Sequence, residues 1–188
     1  MTTDAAGRRR GVFLDRDGTI NIDYGYVGTL ERFELLPRAL EGIGLLGRAG
    51  FLIFLVSNQS GLERKLFTRE QLDEVHAHLQ KLLEPHGAKF TEFYISPYKE
   101  STPNDQRKPS PKYLLQAAKD YGLDLARSYM IGDRGDTDIL CGKNAGCRTI
   151  LVRTGTGKEW EDHPDIRPDH VADDLYEAAK WIVARGDQ

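Results

Sequence analysis

The stretch Gly11-Val12-Phe13-Leu14-Asp15-Arg16-Asp17-Gly18-Thr19-Ile20 constrains this chain more than any other. Apolar residues run straight into two aspartates one residue apart, and a glycine and a threonine follow. A short apolar run that stops at a turn signal reads as a buried strand ending in a loop. The turn lets both carboxylates converge at the strand's C-terminal end, where open α/β sheets place their ligands. Acids at the end of a buried strand need positive charge nearby. That need points to a nucleophilic carboxylate, a second acid and a divalent cation.

The 188 residues suit a flexible leader, 1–10, ending in Arg8-Arg9-Arg10, and one domain over 11–188. Apolar residues make up 39%, enough for a core, and the net charge of −3 offers no basic field for nucleic acid. Cys141 and Cys147 are too few for a disulfide framework and wrongly spaced for structural zinc. They read as inert, partly buried thiols of a cytoplasmic protein. No apolar run approaches the roughly 18 residues that span a bilayer, so no membrane partner is expected.

Further strands are expected over Phe51–Val56, Phe90–Ile95, Ser128–Ile131 and Thr149–Val152, with a short edge strand near Val171. Helical spacing joins Leu36, Leu40, Ile43 and Leu46, with Gly50 as the stop. Thr68 and Gln71 have the spacing of a capping box, and Leu72, Val75, Leu79, Leu82 and Leu83 follow on one face. Two more helices are expected over Pro111–Tyr121, with Leu114, Leu115 and Ala118 inward, and over Thr137–Ala145, closed by Gly146. A last helix covers Leu175–Val183, and Arg153–Arg167 reads as loop. Strands alternating with helices predict an α/β fold, a three-layer doubly wound, mostly parallel sheet. Its strand ends gather at one edge.

Four loops converge there. They bring Asp15 and Asp17; Ser57, Asn58 and Gln59; Arg107 and Lys108; and Asp133, with Asp136 and Asp138 close by. Hydroxyl, N–H and lysine donors match a phosphoryl group. Clustered carboxylates would repel it unless a hard cation such as Mg²⁺ sat between them. One carboxylate can then attack phosphorus, while the other protonates the leaving oxygen and later activates water. Each acid also has a plain reading as a turn or cap residue, and Asp138 is read as a structural acid near a helix N-terminus. The co-occurrence of all four loops favours the chemical reading.

Asp15-Arg16-Asp17-Gly18-Thr19, Ser57-Asn58, Lys108-Pro109 and Gly132-Asp133 with Asp138 resemble the four motifs of the haloacid dehalogenase superfamily, in order and at strand ends. Asp23-Tyr24-Gly25-Tyr26-Val27, Ser57-Asn58-Gln59-Ser60-Gly61 and Arg107-Lys108-Pro109 are further similar to its capless group, the D-glycero-D-manno-heptose 1,7-bisphosphate phosphatases and the related histidinol-phosphatases. The resemblance implies a Mg²⁺-dependent phosphomonoesterase for a small phosphosugar, acting as a monomer. It makes Asp15 the nucleophile and a metal ligand, and Asp17 the acid/base and a ligand through its carbonyl. Asp133 is then the third ligand. Ser57, Asn58 and Lys108 hold the transferring phosphoryl. Asp23, Tyr24, Gly25, Tyr26, Gln59, Ser60 and Arg107 contact the rest of the substrate, although the two tyrosines equally suit loop packing. Many members carry a zinc in the third loop, held by three cysteines and a histidine. Ser96–Gln106 has neither residue type, so zinc is not expected. Asp138 falls one residue later than is usual in this group. The alternatives are a histidinol-phosphate phosphatase and a non-catalytic phosphate-binding protein. Processing of nucleic-acid ends is disfavoured by the acidic net charge.

Overall fold

The computed structural model describes residues 9–100 and 106–186. Most of the expected leader and residues 101–105 of the third loop lie outside these. The elements run β1 (Gly11–Leu14), α1 (Ala39–Arg48), β2 (Leu52–Asn58), α2 (Arg69–Leu83), β3 (Phe90–Ser96), α3 (Lys112–Tyr121), β4 (Tyr129–Gly132), α4 (Leu140–Ala145), β5 (Arg148–Val152), α5 (Gly157–Trp160), β6 (His170–Ala172) and α6 (Leu175–Ala184). The six strands form one sheet in the order β3-β2-β1-β4-β5-β6, and every pair is parallel.

The inner strands β1, β2, β4 and β5 are buried on both faces, which is why they read as near-continuous apolar runs, whereas the edge strands β3 and β6 are partly exposed. Val12, Leu14, Ile53, Leu55 and Ile131 face a core built with α1, α2 and α6. Phe13, Phe54, Val56 and Met130 face the opposite core with α3 and α4. Alternation along each strand thus separates two apolar layers. β1 lies centrally, with the chain winding outward through β2 and β3 and then returning to place β4 on its other side. The reversal makes the β1/β4 boundary the topological switch point, and a crevice opens beyond the strand ends there. The hydrogen bond from Asp15 N–H to the Ile131 carbonyl, 2.9 Å, carries the pairing to its lip.

The capping box is formed: the Thr68 hydroxyl accepts from Gln71 N–H, and the Gln71 side chain accepts from Thr68 N–H. Several expectations are corrected. Leu36 precedes α1, which starts at Ala39. Leu115 is exposed and Ala117 takes the buried position, because α3 turns the 114/117 pair toward the sheet. Leu82 is only half-buried, while His76 is buried and stacks on Phe93 at 4.9 Å. Ser57 and Asn58 are the last residues of β2, since pairing with β3 continues to Asn58–Ser96. The expected helix over Thr137–Ala145 begins instead with a π-helical turn, Gly135–Ile139, before α4. Finally, the segment Arg153–Arg167 contains α5. Among the described residues no helix is long and apolar enough to cross a membrane.

Candidate active site

A cavity of about 350 Å³ opens at the switch point. Asp15, Asp17, Ser57, Asn58, Gln59, Ser60, Arg107 and Lys108 line it, together with Asp23, Gly25, Tyr26, Arg134, Thr137 and Asp138. The four predicted loops therefore meet.

Its floor is a buried charge cluster. Lys108 Nζ lies 2.5 Å from Asp15 Oδ1 and 2.7 Å from Asp138 Oδ1, and all three side chains are nearly inaccessible. Asp133 joins them: single carboxylate oxygens of Asp15, Asp133 and Asp138 all lie within 4.8 Å of one another. Three carboxylates face one ammonium. Burial raises the pKa of Asp15 well above the usual carboxylate range, Lys108 opposes the rise, and Asp138 and Asp133 add to it. Asp133 is pushed up to about 6, chiefly by burial and then by Asp138. Burial disfavours the Lys108 ammonium, but Asp138 and Asp15 outweigh it and hold the lysine charged.

Asp133 is anchored on one side only. Its Oδ2 accepts from Thr156 N–H at 2.8 Å and from the Thr156 hydroxyl at 3.2 Å. Its Oδ1 is buried with no partner. A buried, unpartnered carboxylate oxygen in an excess of negative charge, surrounded by hard oxygen donors, fits a small divalent cation. Gly18 makes this packing possible. Its φ of +83° is open to glycine, and a Cβ there would stand 2.5 Å from Asp133 Oδ2.

Asp17 sits beside the cluster and accepts several hydrogen bonds. Its Oδ1 accepts from Arg16 Nε (3.1 Å), Arg16 Nη2 (2.9 Å) and Asn21 Nδ2 (2.9 Å). Its Oδ2 accepts from Arg16 Nη2 (2.9 Å) and from Gln59 Nε2 (2.7 Å), which also donates to Ser57 Oγ at 2.8 Å. Asn58 clamps the third loop: its Oδ1 accepts from Lys108 N–H at 3.0 Å, and its Nδ2 donates to the Lys108 carbonyl at 3.1 Å. Lys108 is thus presented by β2 as well as by its own loop.

The segment 23–26 forms one wall. Asp23 Oδ1 accepts from Gly25 N–H, and Arg32 donates to the carbonyls of Tyr24 and Gly25. Tyr26, at φ 53°, faces the cavity with the Arg64 guanidinium 5.7 Å from its ring. Tyr24 is not brought to the cavity; its hydroxyl donates to Glu34 at 2.6 Å. Arg107 lines the far wall and donates to the Tyr98 carbonyl at 2.8 Å.

Asp138 lies in the first turn of the helical segment, as expected, and accepts from Arg134 N–H; what the expectation lacked is that its carboxylate, 1% exposed, also joins the buried cluster through Lys108. The π-helical turn absorbs the extra residue of the spacing and swings Asp138 inward. Gly132 leaves room for it, because a Cβ there would stand 2.3 Å from its carboxylate. A glycine ending a buried strand, before an acid one residue late, was the available signal. Thr156 was also missed. Gly155-Thr156-Gly157 follows β5 at the same sheet edge, so topology could have found it. Arg16 left no signal, since its partners are its own neighbour and Val27.

Comparison with known proteins supplies the family and the fold. The HAD-hydrolase-like family model matches residues 106–178. The D-glycero-D-manno-heptose-1,7-bisphosphate 7-phosphatase of Chlorobaculum tepidum is 43% identical, over 92% of this chain and 93% of its own. The enzyme of the same name from Thermosynechococcus vestitus is 39% identical, over 93% and 95%. The crystal structure of D,D-heptose 1,7-bisphosphate phosphatase from B. bronchiseptica, complexed with magnesium and phosphate, superposes with a TM-score of 0.87 at 29% identity. It covers 94% of this chain and 99% of that one. The chain is therefore a phosphatase of the haloacid dehalogenase superfamily and belongs to the family of these heptose-bisphosphate phosphatases.

Proposed function

We propose that the protein removes the 7-phosphate of D-glycero-D-manno-heptose 1,7-bisphosphate, leaving the 1-phosphate. The observation that carries this reading is the Asp15–Lys108–Asp138 cluster, with Asp133 beside it, on the floor of an open polar cavity. The names of its relatives supply the sugar.

Asp15 is the nucleophile. Its carboxylate attacks phosphorus, the bond to the sugar oxygen breaks, and that oxygen takes a proton from Asp17. Asp17 then takes a proton from water as the water attacks phosphorus, freeing Asp15 and inorganic phosphate. Lys108 and the Ser57 hydroxyl hold the phosphoryl oxygens, Asn58 keeps Lys108 in place, and Asp138 keeps its ammonium charged. Asp15, Asp133 and the Asp17 carbonyl would hold Mg²⁺. When bound, the ion offsets the negative charge that keeps phosphate away. Asp23, Gly25, Tyr26, Gln59, Ser60 and Arg107 meet the rest of the substrate. Arg107 suits the second phosphate, because its planar fork matches such an anion. Tyr24 supports the wall through Glu34. In this reading the enzyme works in the cytoplasm as a monomer with a small phosphosugar as its partner.

The test is a parallel assay of the bisphosphate and histidinol phosphate. The expected result is a kcat/KM at least about tenfold higher for the bisphosphate, since a second phosphate contact contributes at least ~1.4 kcal/mol. A preference for histidinol phosphate would overturn the substrate.

A further inference from the structure

Among the described residues, Arg16 is the largest side chain fully withdrawn from solvent, at 0% exposure. It does not reach the cavity. Its guanidinium grips both oxygens of Asp17, with contacts of 2.9, 2.9 and 3.1 Å. Its Nη2 also donates to the carbonyl of Val27, the residue that follows the substrate-facing segment 23–26. The remaining amine, Nη1, is buried without a partner among the described residues. Burying a guanidinium with an unsatisfied donor is costly, and an apolar residue of similar volume would fill the same space more cheaply. The position therefore serves something besides packing.

The arrangement around Asp17 indicates what that is. Oδ1 is filled by Arg16 and Asn21, while Oδ2 faces Gln59 and, beyond it, Ser57. A two-point fork fixes the carboxylate plane, which one point charge could not do. We infer that Arg16 is a positioning residue: it locks the Asp17 carboxylate in the plane that aims Oδ2 at the leaving oxygen, and ties that aim to the substrate wall through Val27. The inference rests on the assignment of Asp17 as the acid.

Leaving groups separate this role from a structural one. A sugar alkoxide must be protonated as it departs, whereas p-nitrophenolate and acetate leave unprotonated. The value of kcat/KM reports the steps up to departure of the first product. In Arg16→Met and Arg16→Lys, kcat/KM for heptose bisphosphate should fall about 100-fold, the scale of general-acid catalysis. For p-nitrophenyl phosphate and acetyl phosphate it should fall less than about threefold on the same argument. Arg16→Lys keeps the buried charge and tests the fork alone, so the experiment survives a poorly folding methionine variant. Equal losses on all three substrates, or no loss on any, would overturn the inference. Asp17→Asn serves as the control. If it discriminates by leaving group and the Arg16 variants do not, only the positioning role fails. If it does not discriminate either, the acid assignment fails first.

Discussion

At the residue scale, the site is a charge balance. Lys108 pairs with the buried carboxylates of Asp15 and Asp138, and Asp133 lies beside them with one oxygen unpartnered. Thr156 occupies the other oxygen and so orients the carboxylate. Thr156→Val should weaken Mg²⁺ binding about tenfold, as for lost outer-shell partners of metal ligands, with little change in fold. Isothermal titration with Mg²⁺ alone would measure it, and an unchanged Kd would remove Thr156 from the site. His76 gives a pH effect of known sign. Burial first, then Arg16, pushes its pKa down from 6.5 to about 3. The folded state therefore holds His76 neutral, and its contribution is complete above pH 6.5. Below that value the unfolded chain takes up a proton that the folded chain refuses, so stability falls. Relative to His76→Phe, the natural chain should lose about 2 to 3 kcal/mol between pH 7 and pH 4.5. Urea midpoints at the two pH values would show it; parallel losses in both proteins would contradict it.

At the element scale, most of what positions the site was legible in the sequence. The strand before Asp15 could be read because it is apolar on both faces, and α2 could be read from its capping box. Removing that cap in Thr68→Ala should cost about 1 kcal/mol without touching activity. Thermal melts and phosphate release, measured together, test both halves of that statement. The π-helical turn before α4 was not legible. Its single added residue has no local propensity signature; tertiary contacts of Asp138, its packing against Gly132 and its ion pair with Lys108, accompany it. Leu115 was misplaced for a similar reason: apolar spacing fits two rotations of α3, and tertiary contact picks the one that buries Ala117. Gly132→Ala tests the turn's purpose. Its Cβ would force Asp138 from the cluster, so activity should drop at least about 100-fold, with a stability loss of about 2 kcal/mol or more. Full activity in that variant would mean that Asp138 is dispensable.

At the scale of the whole molecule, strand order makes the site. The sheet order β3-β2-β1-β4-β5-β6 puts the ends of β1 and β4 side by side, so Asp15 and Asp133 meet although 118 positions separate them in the chain. The expected parallel sheet placed these ends at one edge in advance. The fifth contribution, Thr156 beyond β5, comes from the same edge; the charge in its loop, Arg153, pairs with Glu161 and Asp173, and Thr156 itself is a neutral residue with no chemical signature. In the proposed mechanism this edge performs phosphoryl transfer through Asp15. Phosphate release from D-glycero-D-manno-heptose 1,7-bisphosphate in the natural chain and in Asp15→Asn, each with Mg²⁺ and with EDTA, puts that transfer to the test. The natural chain should release one equivalent of phosphate with Mg²⁺ and none with EDTA. A folded Asp15→Asn should release none under either condition. Turnover by Asp15→Asn at the natural rate, or turnover that EDTA leaves untouched, would contradict the mechanism.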